Sequence, residues 1–195
     1  MINKINKKIL VIGGPTGVGE SAVTKKIIEK YPVFTRLVTA TTRKPRKKEK
    51  YGKDYYFFTN NKFREEIKKG NILEYQNTRN KNIYYGTFKI DLENKLLKGY
   101  NIIVNPDITG VRYYKKKYNA ISIFIMPDNF NNLIKRLKKR DAKISQEELN
   151  ERINYAKYEI KKEAPLYDYK VINKQNKLEN TVNKITKIIK NEKYI

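Results

Sequence analysis

Neither cysteine nor histidine occurs among the 195 residues of this chain. The first absence removes disulfides, thiolate nucleophiles and cysteine–zinc sites together. The second removes the commonest general base and the commonest metal ligand. Any chemistry must therefore run on carboxylates, Lys and Arg, hydroxyls, backbone amides or a bound cation. Acidic residues are scarce as well: 20 Asp and Glu stand against 44 Lys and Arg, a formal net charge of +24. Such a balance favours phosphate-bearing partners. The excess is spread from residue 4 to residue 193 amid abundant Asn, Ile and Tyr, which reads as compositional bias more than as one binding face. It implies recruitment of anionic nucleotides and weak, non-specific nucleic-acid binding. Long hydrophobic runs are missing, with nothing near the ~18 apolar residues of a membrane span, so no membrane partner is expected. The basic N-terminus leads only to the short apolar run at 9–12, too little for a signal-peptide core, and the cytoplasm is the expected location. Composition sets no oligomeric state.

What is present begins with a glycine-rich loop. The run at 8–13 is followed by Gly14-Pro15-Thr16-Gly17-Val18-Gly19-Glu20-Ser21 and then a helical pattern through residue 30. The phosphate-loop pattern G-x-x-x-x-G-K-[ST] is met at every fixed position except the lysine, where Glu20 stands. In a strand–loop–helix setting, backbone N–H groups and a helix N-terminus converge on an anion.

Alternating strand and helix patterns predict an α/β fold: a parallel sheet flanked by helices, of the P-loop NTPase type. Strands are expected at 8–13, 35–40, 101–104, 120–126 and 169–172, and helices at 19–30, 89–98, 110–117, 129–139, 146–162 and 178–190. Ser145 with Glu148 has the spacing of a capping box. Residues 43–87 differ in texture, with short aromatic alternations broken by charged turns, and predict a small, mostly β insertion with one helix at 62–69. The whole reads as one domain over 1–195: a core of 1–42 and 88–195, the insertion, and a helical lid at about 136–152, with a polar flap at 138–145.

Several elements fall in a telling order: the loop; Thr39-Ala40-Thr41-Thr42-Arg43-Lys44-Pro45-Arg46 with Glu49 behind it; Gly52-Lys53-Asp54-Tyr55; Ile72-Leu73-Glu74-Tyr75; Tyr84-Tyr85-Gly86-Thr87; Asp107-Ile108-Thr109-Gly110; and Arg136, Arg140 and Arg152. This series resembles the guanylate kinase family across about residues 7–190. The resemblance implies transfer of a phosphoryl group from ATP to GMP, with ATP and GMP as partners and Mg2+ as cofactor. It implies that residues 14–21 hold the ATP phosphates, with Ser21 toward magnesium. Arg43, Arg46, Tyr55 and Tyr85 would hold the GMP phosphate. Glu74 would accept from the guanine N1–H and amine, with Thr39, Thr87 and Asp107 nearby, and Arg136, Arg140 and Arg152 would close over the transferring group together with position 20.

Taken singly, these residues have plainer readings: a solvated basic face for the arginines, sheet packing for the tyrosines, an outward strand position for Glu74, a turn acid for Asp107. Three positions also depart from the family pattern. Asn105 replaces one of two acids, the lid lacks a G-R-G-T segment, and Glu20 turns attraction into repulsion. A unit charge about 4 Å away is worth roughly 4 kcal/mol at an effective dielectric near 20, and about 1.4 kcal/mol is tenfold in rate. Two readings stay open on the sequence: a working GMP kinase, or a catalytically impaired module that binds GMP or a phosphorylated or peptide partner.

Overall fold

The computed structural model describes residues 8–77 and 82–195; residues 78–81 of the expected insertion lie outside them. The described residues form two compact units, 8–9 with 33–77 and 82–120, and 10–32 with 121–195.

The second unit is built on parallel strands. β1 (Ile9–Gly13) pairs with β8 (Ile121–Pro127), and β8 pairs with β9 (Tyr169–Asn173). Every residue of β1 is buried, as expected of a parallel strand covered on both faces. α1 (Glu20–Lys30), α5 (Phe130–Arg140) and α6 (Gln146–Tyr158) run between them, and α7 (Leu178–Asn191) follows β9. α1 buries Val23, Thr24 and Ile27, and α7 buries Val182, Ile185 and Ile189, positions at helical spacing. α5 and α6 close on Leu133, Leu137, Leu149 and Ala156.

The first unit pairs β2 (Phe34–Arg36) in parallel with β7 (Asn101–Val104). It also carries a four-stranded sheet in the order β4 (Tyr56–Phe57), β3 (Ala40–Thr41), β6 (Tyr84–Phe88), β5 (Ile72–Asn77). α2 (Asn60–Lys68), α3 (Lys89–Leu97) and α4 (Ile108–Tyr118) complete it. Strand alternation sorts the small sheet's side chains. Ala40, Ile72 and Phe88 face a core with Phe63 of α2, and Tyr56, Phe58 and Tyr84 pack against it. The alternate residues, Thr41, Tyr55, Phe57, Tyr85 and Thr87, belong to the opposite face.

Two expected elements are divided. The strand predicted at 35–40 is split between two sheets. The Leu37 N–H still reaches the Ile103 carbonyl at 2.9 Å, but the Val38 N–H goes to the Asp91 carboxylate at 2.9 Å. A side chain has taken the place of a ladder partner, and from Ala40 the chain joins the small sheet. The helix predicted at 146–162 is regular only to Tyr158, passes through a π turn at Glu159–Glu163 and ends in a 3-10 turn at Ala164–Leu166. Pro165 lacks the N–H an α-helix needs. Among the described residues no helix is long and apolar enough to cross a membrane.

Candidate functional site

In the first unit, the polar face of the small sheet gathers Arg43, Arg46, Tyr55 and Tyr85. The Arg43 guanidinium meets Glu49 in a two-pronged contact, Nη1 to Oε2 and Nη2 to Oε1, each 2.9 Å. Its Nε donates to the Tyr85 hydroxyl at 3.0 Å and Nη1 also to the Lys44 carbonyl at 2.7 Å. The guanidinium lies 5.4 Å from the Tyr55 ring centre. The Arg46 N–H donates to Glu49 at 2.8 Å, and its guanidinium is 3.8 Å from the same carboxylate. Burial would lift the Glu49 carboxyl, but the hydrogen bonds from Arg43 and Arg46 outweigh it and hold it below its ordinary range. Both arginines thus converge on one anion, which shows what the fork can grip.

Two residues further along β6, Thr87 donates to Glu74 Oε1 at 2.6 Å. Burial pushes the Glu74 carboxyl up to about 7; the Thr87 hydrogen bond pulls it back, and the charge of Asp107 adds to the rise. Asp107 caps α4, accepting from the N–H groups of Thr109 and Gly110 at 2.9 and 3.1 Å. Burial raises its carboxyl too, against those two N–H bonds. The Gln76 amide, turned so that its NH2 faces Asp107, donates to Oδ2 at 3.0 Å. A side chain at Gly110 would come 3.2 Å from Glu74 Oε2 and 2.5 Å from Pro106, so α4 approaches the carboxylate as only glycine allows. The Thr39 carbonyl accepts from the Tyr56 N–H at 2.9 Å, which joins it to the start of the same sheet. The set can grip a phosphate at one end and accept two N–H groups at the other.

In the second unit, the loop after β1 bends through three glycines with positive φ, Gly14 (152°), Gly17 (93°) and Gly19 (107°). At Gly14 an added Cβ would stand 2.5 Å from the Ile125 carbonyl oxygen, and at Gly17 it would press on Leu137. The Val18 N–H closes the loop onto the Pro15 carbonyl at 2.9 Å. The Val18 carbonyl receives Asn173 Nδ2 at 2.7 Å and Arg136 Nη1 at 3.0 Å, while Arg136 Nε reaches Gln175 at 3.0 Å. Pro15 is buried, Thr16 is half-buried, and Glu20 and Ser21 stand in the first turn of α1 with Ser21 exposed. Arg152 bonds Glu148 at 2.6 Å, and its Nη1 is buried with no hydrogen-bond partner among the described residues. Arg140, the last residue of α5, is exposed. No group of three or more acids able to hold a metal occurs among the described residues. A Ser21 hydroxyl with phosphate oxygens is a donor set suited to magnesium carried by a nucleotide, not to a metal caged by protein.

Sequence reasoning gave no role to Glu49, Asn173 or Tyr114. Glu49 carried a signal, a lone acid among lysines three residues after Arg46. So did Tyr114, a phenol on the buried face of a helix, which must find a partner. Asn173 carried none.

The sequence model of the guanylate kinase family matches residues 6–192. A guanylate kinase of Prochlorococcus marinus (strain MIT 9312) is 32% identical over 187 residues, 95% of this chain and 98% of that protein. One of Clostridium acetobutylicum is 37% identical over 186 residues, 95% of this chain and 86% of that protein. The crystal structure of guanylate kinase from Anaplasma phagocytophilum has 29% identity and a TM-score of 0.71, covering 94% of this chain and 85% of its own.

Proposed function

The chain belongs to the guanylate kinase family, and from that premise we propose that it transfers the γ-phosphoryl group of ATP to GMP, giving ADP and GDP. The observation that carries this reading is the polar face of the small sheet, where Glu74 on β5 accepts from Thr87 on β6, and Tyr85, two residues before Thr87, accepts from Arg43 in the turn after β3. Guanine alone among the common bases offers N1–H and an exocyclic amine side by side, and an ionised Glu74 accepts both. Adenine offers an acceptor at N1 and is repelled. Arg43, Arg46, Tyr55 and Tyr85 hold the GMP phosphate, which competes with Glu49 for the same N–H groups. Residues 43–87 form the acceptor-binding insertion and about 136–152 the lid.

A GMP phosphate oxygen attacks the γ-phosphorus, its bond forms as the bond to the β-bridging oxygen breaks, and ADP departs with the electron pair. The attacking oxygen is already anionic, so no general base is needed, and the absence of histidine is no obstacle. Catalysis is positioning and charge stabilisation. The loop 14–21 offers backbone N–H groups to the ATP phosphates. Ser21 is the residue that would hold magnesium carried by ATP, and the ion would supply neutralisation of phosphate charge. With Glu20 in place of lysine, positive charge falls to Arg136, Arg140 and Arg152, and the unpartnered Nη1 of Arg152 has donor capacity for a phosphoryl oxygen. Such substrates put the work in the cytoplasm. The impaired-module reading is not favoured, because relatives matching 95% of the chain carry the enzyme's name.

Purified protein with ATP, magnesium and GMP should form equal amounts of GDP and ADP, resolved by chromatography. Glu20→Lys should raise kcat by about 10- to 1,000-fold, the range set by ~1.4 kcal/mol per decade. No GDP from the natural chain together with full activity in Glu20→Lys would overturn the enzyme reading.

A further inference from the structure

The hydroxyl of Tyr114 on α4 is fully buried, its residue 0% exposed, and so is Thr87 on β6. The two oxygens are 2.6 Å apart, and Thr87 in turn donates to Glu74 Oε1 at 2.6 Å. A hydroxyl has one hydrogen and an ionised carboxylate has none. Since Thr87 spends its hydrogen on Glu74, Tyr114 must be the donor to Thr87. The line Tyr114 to Thr87 to Glu74 therefore has a fixed direction whenever Glu74 is ionised, and no water competes for either hydroxyl.

We propose that Tyr114 is a positioning and specificity residue for guanine: through Thr87 it holds Glu74 with one oxygen occupied and the ionised form favoured, leaving the rest of the carboxylate for the base. This rests on the reading of Glu74 as the group that accepts from guanine. A donated bond from Tyr114 polarises the Thr87 hydroxyl and makes it a stronger donor to Glu74. It also denies Thr87 the alternative of turning its hydrogen toward α4. The other groups facing Glu74 are Asp107 at the start of α4, whose charge opposes ionisation, and Tyr113, whose hydroxyl bonds that of Tyr118 beside Tyr114. Burial holds Tyr113 and Tyr114 protonated, so α4 supplies hydroxyl donors and one carboxylate, with Tyr114 the donor nearest the line.

The test compares Tyr114→Phe with the natural chain and with Glu74→Gln. Loss of one buried hydrogen bond predicts a roughly three- to tenfold rise in KM for GMP, with kcat at saturating GMP within about twofold. The pH midpoint of guanosine binding should move up, and preference for GMP over IMP, which lacks the amine, should shrink. Unchanged KM, midpoint and preference in Tyr114→Phe, with GMP binding lost in Glu74→Gln, would overturn the role of Tyr114 and leave that of Glu74 standing. GMP binding unchanged in Glu74→Gln would remove the reading of Glu74 and this inference with it. A second readout needs no variant. The Tyr114 hydroxyl proton, shielded in a short hydrogen bond, should give a slowly exchanging downfield NMR resonance that moves when GMP binds, and a resonance indifferent to GMP would overturn the proposal.

Discussion

Glu74 is asked to do two things that pH pulls apart. Burial lifts its carboxyl from an ordinary 4.5 to about 7, so the folded chain binds a proton there more tightly than the unfolded chain does. The stability this confers is complete below about pH 4.5 and is lost as pH rises through 7. The proposed recognition of guanine runs the other way, because only the ionised carboxylate accepts two N–H groups. The expected outcome is that the ligand-free protein loses part of its melting temperature between pH 5 and 8, while stabilisation by added ligand grows over the same window. GMP itself gains charge near pH 6, so guanosine is the cleaner probe. Its dissociation constant should fall as pH rises from 5.5 to 8, and Glu74→Gln should flatten both curves. A guanosine affinity that ignores pH in the natural chain would contradict the titration assigned to this residue.

At the scale of elements, side-chain caps set where helices start. Thr59, Asp107, Asn129 and Ser145 each accept a backbone N–H at the head of α2, α4, α5 and α6. Ser145 fits the capping spacing seen in the sequence, but the Glu148 carboxylate is engaged by Arg152 four residues on. Asp107 has a double office, capping α4 and raising Glu74 by its charge. Substitutions should separate the two. Asp107→Asn keeps a good cap, so unfolding in denaturant should change by less than about 0.5 kcal/mol, and Asp107→Ala should cost about 1 kcal/mol. Both should lower the pH midpoint of guanosine binding, since both remove the neighbouring charge. A midpoint that moves only in the Ala variant would mean that helix position, not charge, is what Glu74 feels.

The same elements show what a sequence can and cannot disclose. Buried runs such as residues 9–13 and the helical spacing of Val182, Ile185 and Ile189 are written in apolar periodicity, and the structure realises them. The alternation Tyr55, Tyr56, Phe57, Phe58 foretold a strand-like segment with two faces, and those faces are the polar set beside Arg43 and the core beside Phe63. The break after Leu37 had no local sign, because the carboxylate that ends the pairing belongs to Asp91, 53 residues away. Glu49 announced itself as a lone acid among lysines, but that its partner is Arg43 was hidden. Any of several lysines competes for that acid on paper, and only the turn at residues 43–49 aims both oxygens at one guanidinium. Tyr114 signalled its need for a partner, but the partner, Thr87, lies on another element and was hidden.

Across the whole molecule, charge is the dominant property. Many of its acids are already paired locally, as in Lys25 with Glu29, Lys26 with Glu179, Lys62 with Glu66 and Lys89 with Glu93. The excess of 24 positive charges is therefore left largely uncompensated. Exposed charges act on ligands through the solvent and are screened within about 10 Å at 0.1 M salt. Arg43 and Glu49 are different: their side chains are only 15% and 17% exposed, and a ligand held there is screened less. Salt should consequently divide the two kinds of binding. Between 50 and 200 mM salt, affinity for a short unstructured RNA should fall by about tenfold or more, as counterion release requires when several phosphates are neutralised. GMP affinity should fall by less than about threefold, because most of its contacts are shielded from mobile ions. Titrating both ligands at the two salt concentrations tests this directly. RNA binding that persisted at high salt would point to a shaped nucleic-acid site and make the charge functional in its own right. Equal salt sensitivity would mean that GMP, too, is held mainly by the general field of the protein.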